Sequence, residues 1–249
     1  MEQANRPRQL DDNPGAIRDY AIADYVGVPG DETRRILTSV WQSRRRRSRM
    51  GRDYVAPRRS LSRPGAKALG HNHQHMLGGP DPIDGIRAYQ CTDGEVDHLH
   101  FVTYGYTTLY YDEEAVGKEY SRFGFEMTFR LASRLPPAED PIWVCNLLQN
   151  LARYVFECGK WFEQYHWIPA NGPIRANYQT EIVALAFLND PTLEAVDSPH
   201  GRVEFIQAFG ITQSELDSFK DTKHTAAAVI ERYRKTNPLL VTDLSRKDE

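Results

Sequence analysis

The sequence has few cysteines and no long apolar run, and each shortage excludes a class of protein. Cys91, Cys145 and Cys158 are widely spaced and form no CxxC pair, which argues against a disulfide framework or a zinc knuckle and favours a reducing compartment. The longest apolar run, IVALAFL at 182–188, is too short to cross a bilayer, and the N-terminus carries acidic residues where a secretion signal would be apolar. We therefore predict a cytoplasmic protein that does not enter the membrane.

Signatures of catalysis and nucleotide binding are also missing. The chain contains no GxSxG nucleophile elbow, no Walker loop and no GxGxxG motif. Its net charge is only -3, so the molecule as a whole has no electrostatic attraction to nucleic acid or acidic membranes. These absences favour a protein that is not an enzyme and needs no cofactor.

What is present is the composition of an ordinary globular protein. The 249 residues are 40% hydrophobic and 26% charged, enough to bury a self-sufficient core. We divide the chain into an N-terminal helical segment at 1–43, an atypical arginine-rich loop at 44–76, and the main body of one domain at 77–249. Helical spacing of apolar residues predicts two short helices within 16–41.

The arginine-rich segment begins abruptly at Arg44. Its residues are mostly Arg, Ser, Pro and Gly, with Asp53 as the only acid, and its few apolar residues show no sustained period. A solvated loop or a disordered segment is the ordinary interpretation of such a charge run. The alternative is an arm that binds nucleic acid by neutralising phosphates, which would make the protein a nucleic-acid-associated regulator.

The main body combines strands and helices without regular alternation. Apolar residues occupy every odd position of FGFEMTFRL at 123–131, which predicts a strand with one core face and one polar face. A helix is predicted from a cap at Asp140 and Pro141 to a stop at Gly159. Its apolar stripe consists of Val144, Leu147, Leu148, Leu151 and Val155.

The C-terminal third predicts further elements. EIVALAFL and GRVEFIQAFG read as strands, Thr212 to Glu215 form a capping box that opens a helix, another helix covers Thr222 to Arg234, and PLLVTDL closes as a short strand. The lack of a regular βαβ pattern indicates an α+β fold with one mixed, largely antiparallel sheet packed with helices.

The stretch DHLHFVTYGYTTLYYD at 97–112 carries the most chemistry. His98 and His100 lie one residue apart on a predicted strand, so both side chains point to one face, as a pair of metal ligands would. No third ligand is apparent from the sequence, and buried histidines commonly serve as hydrogen-bonded structural groups. We favour the structural role, and a metal-dependent enzyme using this pair remains the weaker alternative.

Several motifs, taken in order, resemble the Suppressor of fused family: LGGPDPIDGI, HLHFVTYGYTTLYYDE, FGFEMTFRL, NLLQNLARYVF, NGPI, DPTLEAVDSPHGRVEFIQAFGIT and LLVTDLSR. The resemblance covers about residues 77–246 and fades in the arginine-rich segment, for which two interpretations are open: an insertion, or the product of a reading-frame error in the gene. It implies the fold of the single-domain bacterial members, which match the N-terminal domain of the animal protein.

The resemblance also implies a function. Animal members bind Gli-type transcription factors by holding a short extended peptide, and bacterial relatives are thought to include immunity proteins that neutralise polymorphic toxins. We therefore expect a protein that sequesters a protein partner, such as a cognate toxin, with no role for cofactors, nucleic acid or membranes. The expected contact residues, carried over by position, are Phe101, Tyr104, Leu109, Tyr110, Tyr111 and Asp112, with Phe101 in place of the family's usual tyrosine.

Overall fold

The computed structural model describes residues 67–69, 81–91, 96–110, 112–132, 141–220 and 225–247. The helices predicted within 16–41 lie outside these ranges, as does most of the arginine-rich segment. Of that segment only Lys67–Leu69 is described, and it forms a short strand.

The described residues form one sheet and three α-helices. The strands are β1 (Lys67–Leu69), β2 (Gly85–Cys91), β3 (His98–Tyr104), β4 (Tyr120–Ala132), β5 (Trp167–Pro169), β6 (Ile182–Asn189), β7 (Val196–Ser198) and β8 (Gly201–Thr212). The helices are α1 (Ile142–Cys158), α2 (Gln213–Lys220) and α3 (Ala226–Arg234), with a short 3₁₀ helix at Glu113–Ala115.

The sheet is mixed and largely antiparallel. Its strand order is β1-β2-β3-β4-β8-β6-β5, and β7 pairs with the beginning of β8. Only β4 and β8 run parallel; the other neighbours are antiparallel. The predicted α+β class with one mixed sheet is confirmed.

Helix α1 covers one face of the sheet through the predicted apolar stripe. All five residues of that stripe are buried: Val144, Leu147, Leu148, Leu151 and Val155. Gly159 ends the helix in the left-handed conformation, with φ 63°, and donates its N–H to the carbonyl of Val155 at 2.9 Å, as glycine does at many helix ends. Asp140 lies outside the described residues, and the N-cap position is occupied by Pro141, which makes no side-chain capping bond.

Strand β4 is longer than predicted, and both of its faces are buried. The odd positions enter the core beneath α1 as expected. The polar face is also inaccessible: Glu126, Thr128 and Arg130 are 0%, 0% and 1% exposed. A buried polar face must be satisfied by other protein groups, because unpaired polar atoms away from water are costly.

The partner of this polar face is Asp190, which directly follows β6. The Arg130 guanidinium donates from both terminal nitrogens to the two Asp190 carboxylate oxygens, at 2.8 and 3.0 Å. It also donates to the hydroxyl of Thr192 at 2.6 Å and to the side-chain oxygen of Gln207. Arg130 and Asp190 side chains are 1% and 0% exposed, so this is a fully buried, bidentate ion pair.

Three further groups donate to the Asp190 carboxylate. It accepts hydrogen bonds from the Thr128 hydroxyl at 2.7 Å, the Nε2 of His100 at 3.2 Å and the backbone N–H of Leu193 at 2.9 Å. Burial on its own would raise the pKa of Asp190, but the bond from His100 and the charge of Arg130 outweigh it and hold that pKa well below its usual range. Burial lowers the pKa of His100, against the raising effect of its bond to Asp190.

The C-terminal elements agree with the prediction in part. The capping box is confirmed: the Thr212 N–H donates to the Glu215 carboxylate at 3.0 Å, and the Glu215 N–H donates to the Thr212 hydroxyl at 3.4 Å. Helix α3 begins at Ala226 with Thr225 as its cap, whereas the sequence predicted a start at Thr222, which lies outside the described residues.

The prediction that PLLVTDL forms a short strand is wrong. Only Thr242 pairs, in a single parallel bridge with Leu131 of β4. Leu240 has a left-handed φ of 49°, and the Asn237 side chain bonds both the N–H and the carbonyl of Val241 at 2.9 Å. This turn interrupts the extended backbone that a strand requires.

Replacing Asp190 tests the ion pair. Asp190→Asn keeps the size of the side chain but leaves the buried Arg130 charge uncompensated, so we expect the free energy of unfolding to fall by about 3–5 kcal/mol. Urea denaturation followed by circular dichroism measures it. The matched control is Asp197→Asn on the exposed surface of β7, for which we expect a change within about 0.5 kcal/mol. Equal, small effects of both variants would contradict the assignment.

Candidate partner-binding surface

Residues 105–119 connect β3 to β4 and are named here the rim loop. Its base is held by the carboxylate of Glu126, which accepts hydrogen bonds from the N–H of Gly105 at 3.0 Å and from the N–H and hydroxyl of Thr107 at 3.1 and 2.6 Å. The hydroxyl of Thr103 donates to the other carboxylate oxygen at 2.8 Å. A single buried side chain therefore satisfies the backbone where β3 separates from β4.

Glycine is required at the first position of this loop. Gly105 has φ 138°, and a Cβ atom there would lie 2.7 Å from the backbone nitrogen of Asp84. Any other residue would be strained by its conformation and by this contact. The beginning of the rim loop is therefore fixed both by its backbone geometry and by Glu126.

Glu126 is completely buried, and burial is the main influence on its ionisation. Burial raises the pKa of Glu126 to about 7, although the bonds from Gly105, Thr107 and Thr103 act in the opposite direction. A carboxyl group that gains its charge near neutral pH thus lies at the base of the loop.

The far end of the rim loop is held by the turn between β7 and β8. The Asp112 N–H donates to Nε2 of His200 at 3.1 Å, and the Gly117 N–H donates to the carbonyl of Pro199 at 3.0 Å. Because Nε2 of His200 accepts this bond, that nitrogen carries no proton in this arrangement. The Asp112 carboxylate in turn accepts from the Glu114 N–H at 3.1 Å and caps the 3₁₀ helix.

The predicted contact residues differ widely in exposure. Phe101 is 0% exposed in the core, so its side chain has no surface to offer a partner. Tyr104 is half-buried, with its hydroxyl 3.3 Å from that of Tyr89. Leu109 is half-buried, whereas Tyr110 and Asp112 are exposed. Tyr111 lies outside the described residues.

Val116 is an exposed apolar side chain of this loop that the sequence interpretation did not include among the contact residues. Within the described part of the chain, the exposed large hydrophobic side chains are Tyr110 at 57%, Val116 at 47% and Tyr165 at 36%. Two of these three lie on the rim loop, together with exposed acidic side chains. We define the rim surface as the exposed side chains of Tyr110, Asp112, Glu113, Glu114 and Val116.

The two histidines of β3 are buried and hydrogen-bonded. His98 and His100 are each 2% exposed; Nδ1 of His98 lies 2.9 Å from the carbonyl of Val96, and His100 bonds Asp190. Across the described ranges, no group of three or more His, Cys, Asp or Glu side chains is placed to hold a metal ion. None of the helices in those ranges is long and apolar enough to cross a membrane.

A mixed sheet with a buried polar strand and a loop held at both ends defines an α+β domain that presents a preformed surface. Comparison with known proteins identifies the family of this chain. Residues 79–247 match the family described as Suppressor of fused protein (SUFU), and the chain belongs to this family. The resemblance noted in the sequence is confirmed.

The curated relatives are longer proteins. The human Suppressor of fused homolog is 31% identical over 185 residues, which cover 70% of this chain and 38% of the human protein. The mouse homolog matches to the same extent. The chain therefore spans less than half the length of these relatives.

Two solved structures share the fold. Drosophila Suppressor of fused is 27% identical, with a TM-score of 0.65, over 76% of this chain and 48% of that chain. A chain in a crystal structure of the Sufu-Fu complex is 25% identical, also with a TM-score of 0.65, over 87% of this chain and 91% of that chain.

The raised pKa of Glu126 predicts a pH dependence of stability. The folded protein keeps the Glu126 proton up to about pH 7, whereas the unfolded chain loses it near pH 4.5, so the free energy of unfolding from this group falls as pH rises between these values. The difference between wild type and Glu126→Gln should decrease by about 3 kcal/mol across this window.

Denaturation curves recorded at several pH values measure this difference. Glu119→Gln is the matched control, because Glu119 is an exposed acid on the same loop. The difference between wild type and this control should hardly change with pH. A wild-type advantage over Glu126→Gln that stays constant or grows with pH would show that Glu126 is ionised throughout.

Proposed function

We propose that this chain is a protein-binding domain without catalytic activity, which sequesters a partner protein through its rim surface. The observation that carries the proposal is that the exposed Tyr110 and Val116 lie on one loop held at both ends. Exposed apolar side chains rimmed by charged residues are characteristic of protein contact sites, and tyrosine is among the residues that most often dominate binding energy.

The construction of the rim loop favours tight binding. Association is opposed by the entropy lost when a surface becomes ordered, and a preformed surface loses less. Glu126 and His200 hold the two halves of the loop in the unbound chain. The exposed Asp112, Glu113 and Glu114 add negative charge, which would attract a partner with a basic contact segment.

The relatives support a binding role. One of the similar structures is that of a Sufu-Fu complex, in which the relative is bound to another protein. The more specific hypothesis is that this chain is an immunity protein whose partner is a toxin of the same host. Its support is the resemblance to the bacterial members, and it requires that the captured partner be harmful when it is produced alone.

Capture of partners from the native host tests the proposal. The tagged full-length chain is compared with Tyr110→Ala, which removes the most exposed aromatic side chain of the rim surface. Loss of a central aromatic contact commonly costs about 2 kcal/mol or more, so we expect at least about tenfold weaker retention of the specific partner, quantified by mass spectrometry. Tyr165→Ala is the matched control, because Tyr165 is exposed but lies outside the rim loop.

Each outcome is informative. A partner lost with Tyr110→Ala and kept with Tyr165→Ala supports the rim surface. Equal retention by all three proteins contradicts it. If the partner alone arrests growth, and co-expression of the wild-type chain but not of Tyr110→Ala restores growth, the immunity hypothesis is supported; a harmless partner contradicts that hypothesis while leaving the binding proposal intact.

A further inference from the structure

A short segment between β5 and β6 lies outside the hydrogen-bonded ladder of the sheet. The Ala170 N–H donates to the carbonyl of Val183 at 2.8 Å, and the Ile174 N–H donates to the carbonyl of Ile182 at 3.0 Å. Two adjacent carbonyls of β6 therefore accept from residues that are four positions apart. We name the three residues in between, 171–173, the hairpin bulge.

The hairpin bulge contains the only Asn-Gly pair in the sequence. Asn171 is exposed and has a left-handed φ of 58°, and Gly172 is half-buried. Among the described residues, none hydrogen-bonds the Asn171 carboxamide or accepts from the Gly172 N–H. A Cβ atom at Gly172 would meet no other atom within 4 Å, so the space beside this part of the backbone is open.

An asparagine carboxamide can react with the backbone nitrogen of the next residue. The Gly172 N–H gives its proton to hydroxide, the nitrogen forms a bond to Cγ of Asn171, and the bond from Cγ to Nδ2 breaks, so that Nδ2 leaves as ammonia. The product is a five-membered succinimide. Water then opens this ring at either carbonyl. Breaking the new bond to Cγ gives aspartate, and breaking the original main-chain bond gives isoaspartate.

We infer that Asn171 is a site of spontaneous deamidation, at which the folded chain acquires a carboxylate. Glycine permits the backbone rotation that brings its nitrogen to the carboxamide, and this rotation breaks no hydrogen bond of the ladder. Each conversion adds one negative charge to the exposed hairpin bulge. The site does not involve the rim surface, so this inference and the proposed function can fail independently.

Asn177 provides a matched comparison within the same connection. It is also exposed, and its φ of 57° is nearly that of Asn171. The residue that follows it, however, is Tyr178, which is half-buried and packs against the core beneath α1. The guanidinium of Arg175 lies over the Tyr178 ring, 4.3 Å from its centre. A packed side chain hinders the rotation that the reaction requires, so the two asparagines differ mainly in the residue that follows.

Incubation of the full-length, folded chain at neutral and at mildly alkaline pH tests the inference. Peptide mapping by mass spectrometry measures the loss of each amide, and methylation by an isoaspartate methyltransferase detects the rearranged product. We expect Asn171 to react at least about tenfold faster than Asn177, a difference of about 1.4 kcal/mol in activation free energy. The rate at Asn171 should rise with pH, because the attacking nitrogen must first lose its proton.

Two conservative variants assign the charge that is gained. Asn171→Gln keeps the carboxamide but would have to close a larger, six-membered ring, so the gain of negative charge seen by ion-exchange chromatography of the intact chain should disappear. Asn177→Gln is the matched control and should gain charge as the wild type does. A charge gain that persists in Asn171→Gln, or equal rates at Asn171 and Asn177 in the wild type, would overturn the inference.

The same full-length chain incubated in urea separates the effect of the fold from that of the sequence. Similar rates at Asn171 in the folded and the unfolded chain would support a hairpin bulge that leaves the pair free to react. Reaction at Asn171 in urea alone would show that the folded backbone protects it, which would also overturn the inference.

Discussion

The fold depends on one buried ion pair, between Arg130 and Asp190. The pair joins β4, in the middle of the sheet, to the end of β6, and its hydrogen bonds extend to β3, β8 and the β6–β7 connection. A buried charge pair is rarely worth more than well-packed apolar side chains, but breaking it is costly. Its structural effect is to fix which segments may meet across the polar face of β4.

The same face of β4 also positions the functional surface. Glu126 lies four residues before Arg130. Where β3 no longer pairs with β4, its carboxyl group accepts hydrogen bonds from the backbone of the rim loop. His200, at the turn before β8, holds the far end of that loop. Because β8 pairs with β4 in parallel, one central strand pair supports both ends, and the exposed Tyr110 is presented on a loop that would otherwise be free to move.

Local patterns in the sequence predicted the fold class, helix α1, the capping box and strand β4. They did not predict that the polar face of β4 is buried, because the same alternation occurs when that face meets water, and Asp190 is sixty positions from Arg130. The roles of Glu126 and His200 depend on contacts between distant segments in the same way. Phe101 was expected at a partner contact but belongs to the core, since a strand position alone does not tell which face is covered.

Buried polar groups hold the rim loop in a preformed conformation. Amide hydrogen exchange of the unbound chain, resolved residue by residue, tests this most directly. The N–H groups of Gly105 and Thr107 both donate to Glu126, so they should be protected nearly as strongly as the core amides of β4. Exchange at Gly105 and Thr107 as fast as at the exposed Glu113 would show that the loop opens freely and would contradict the account.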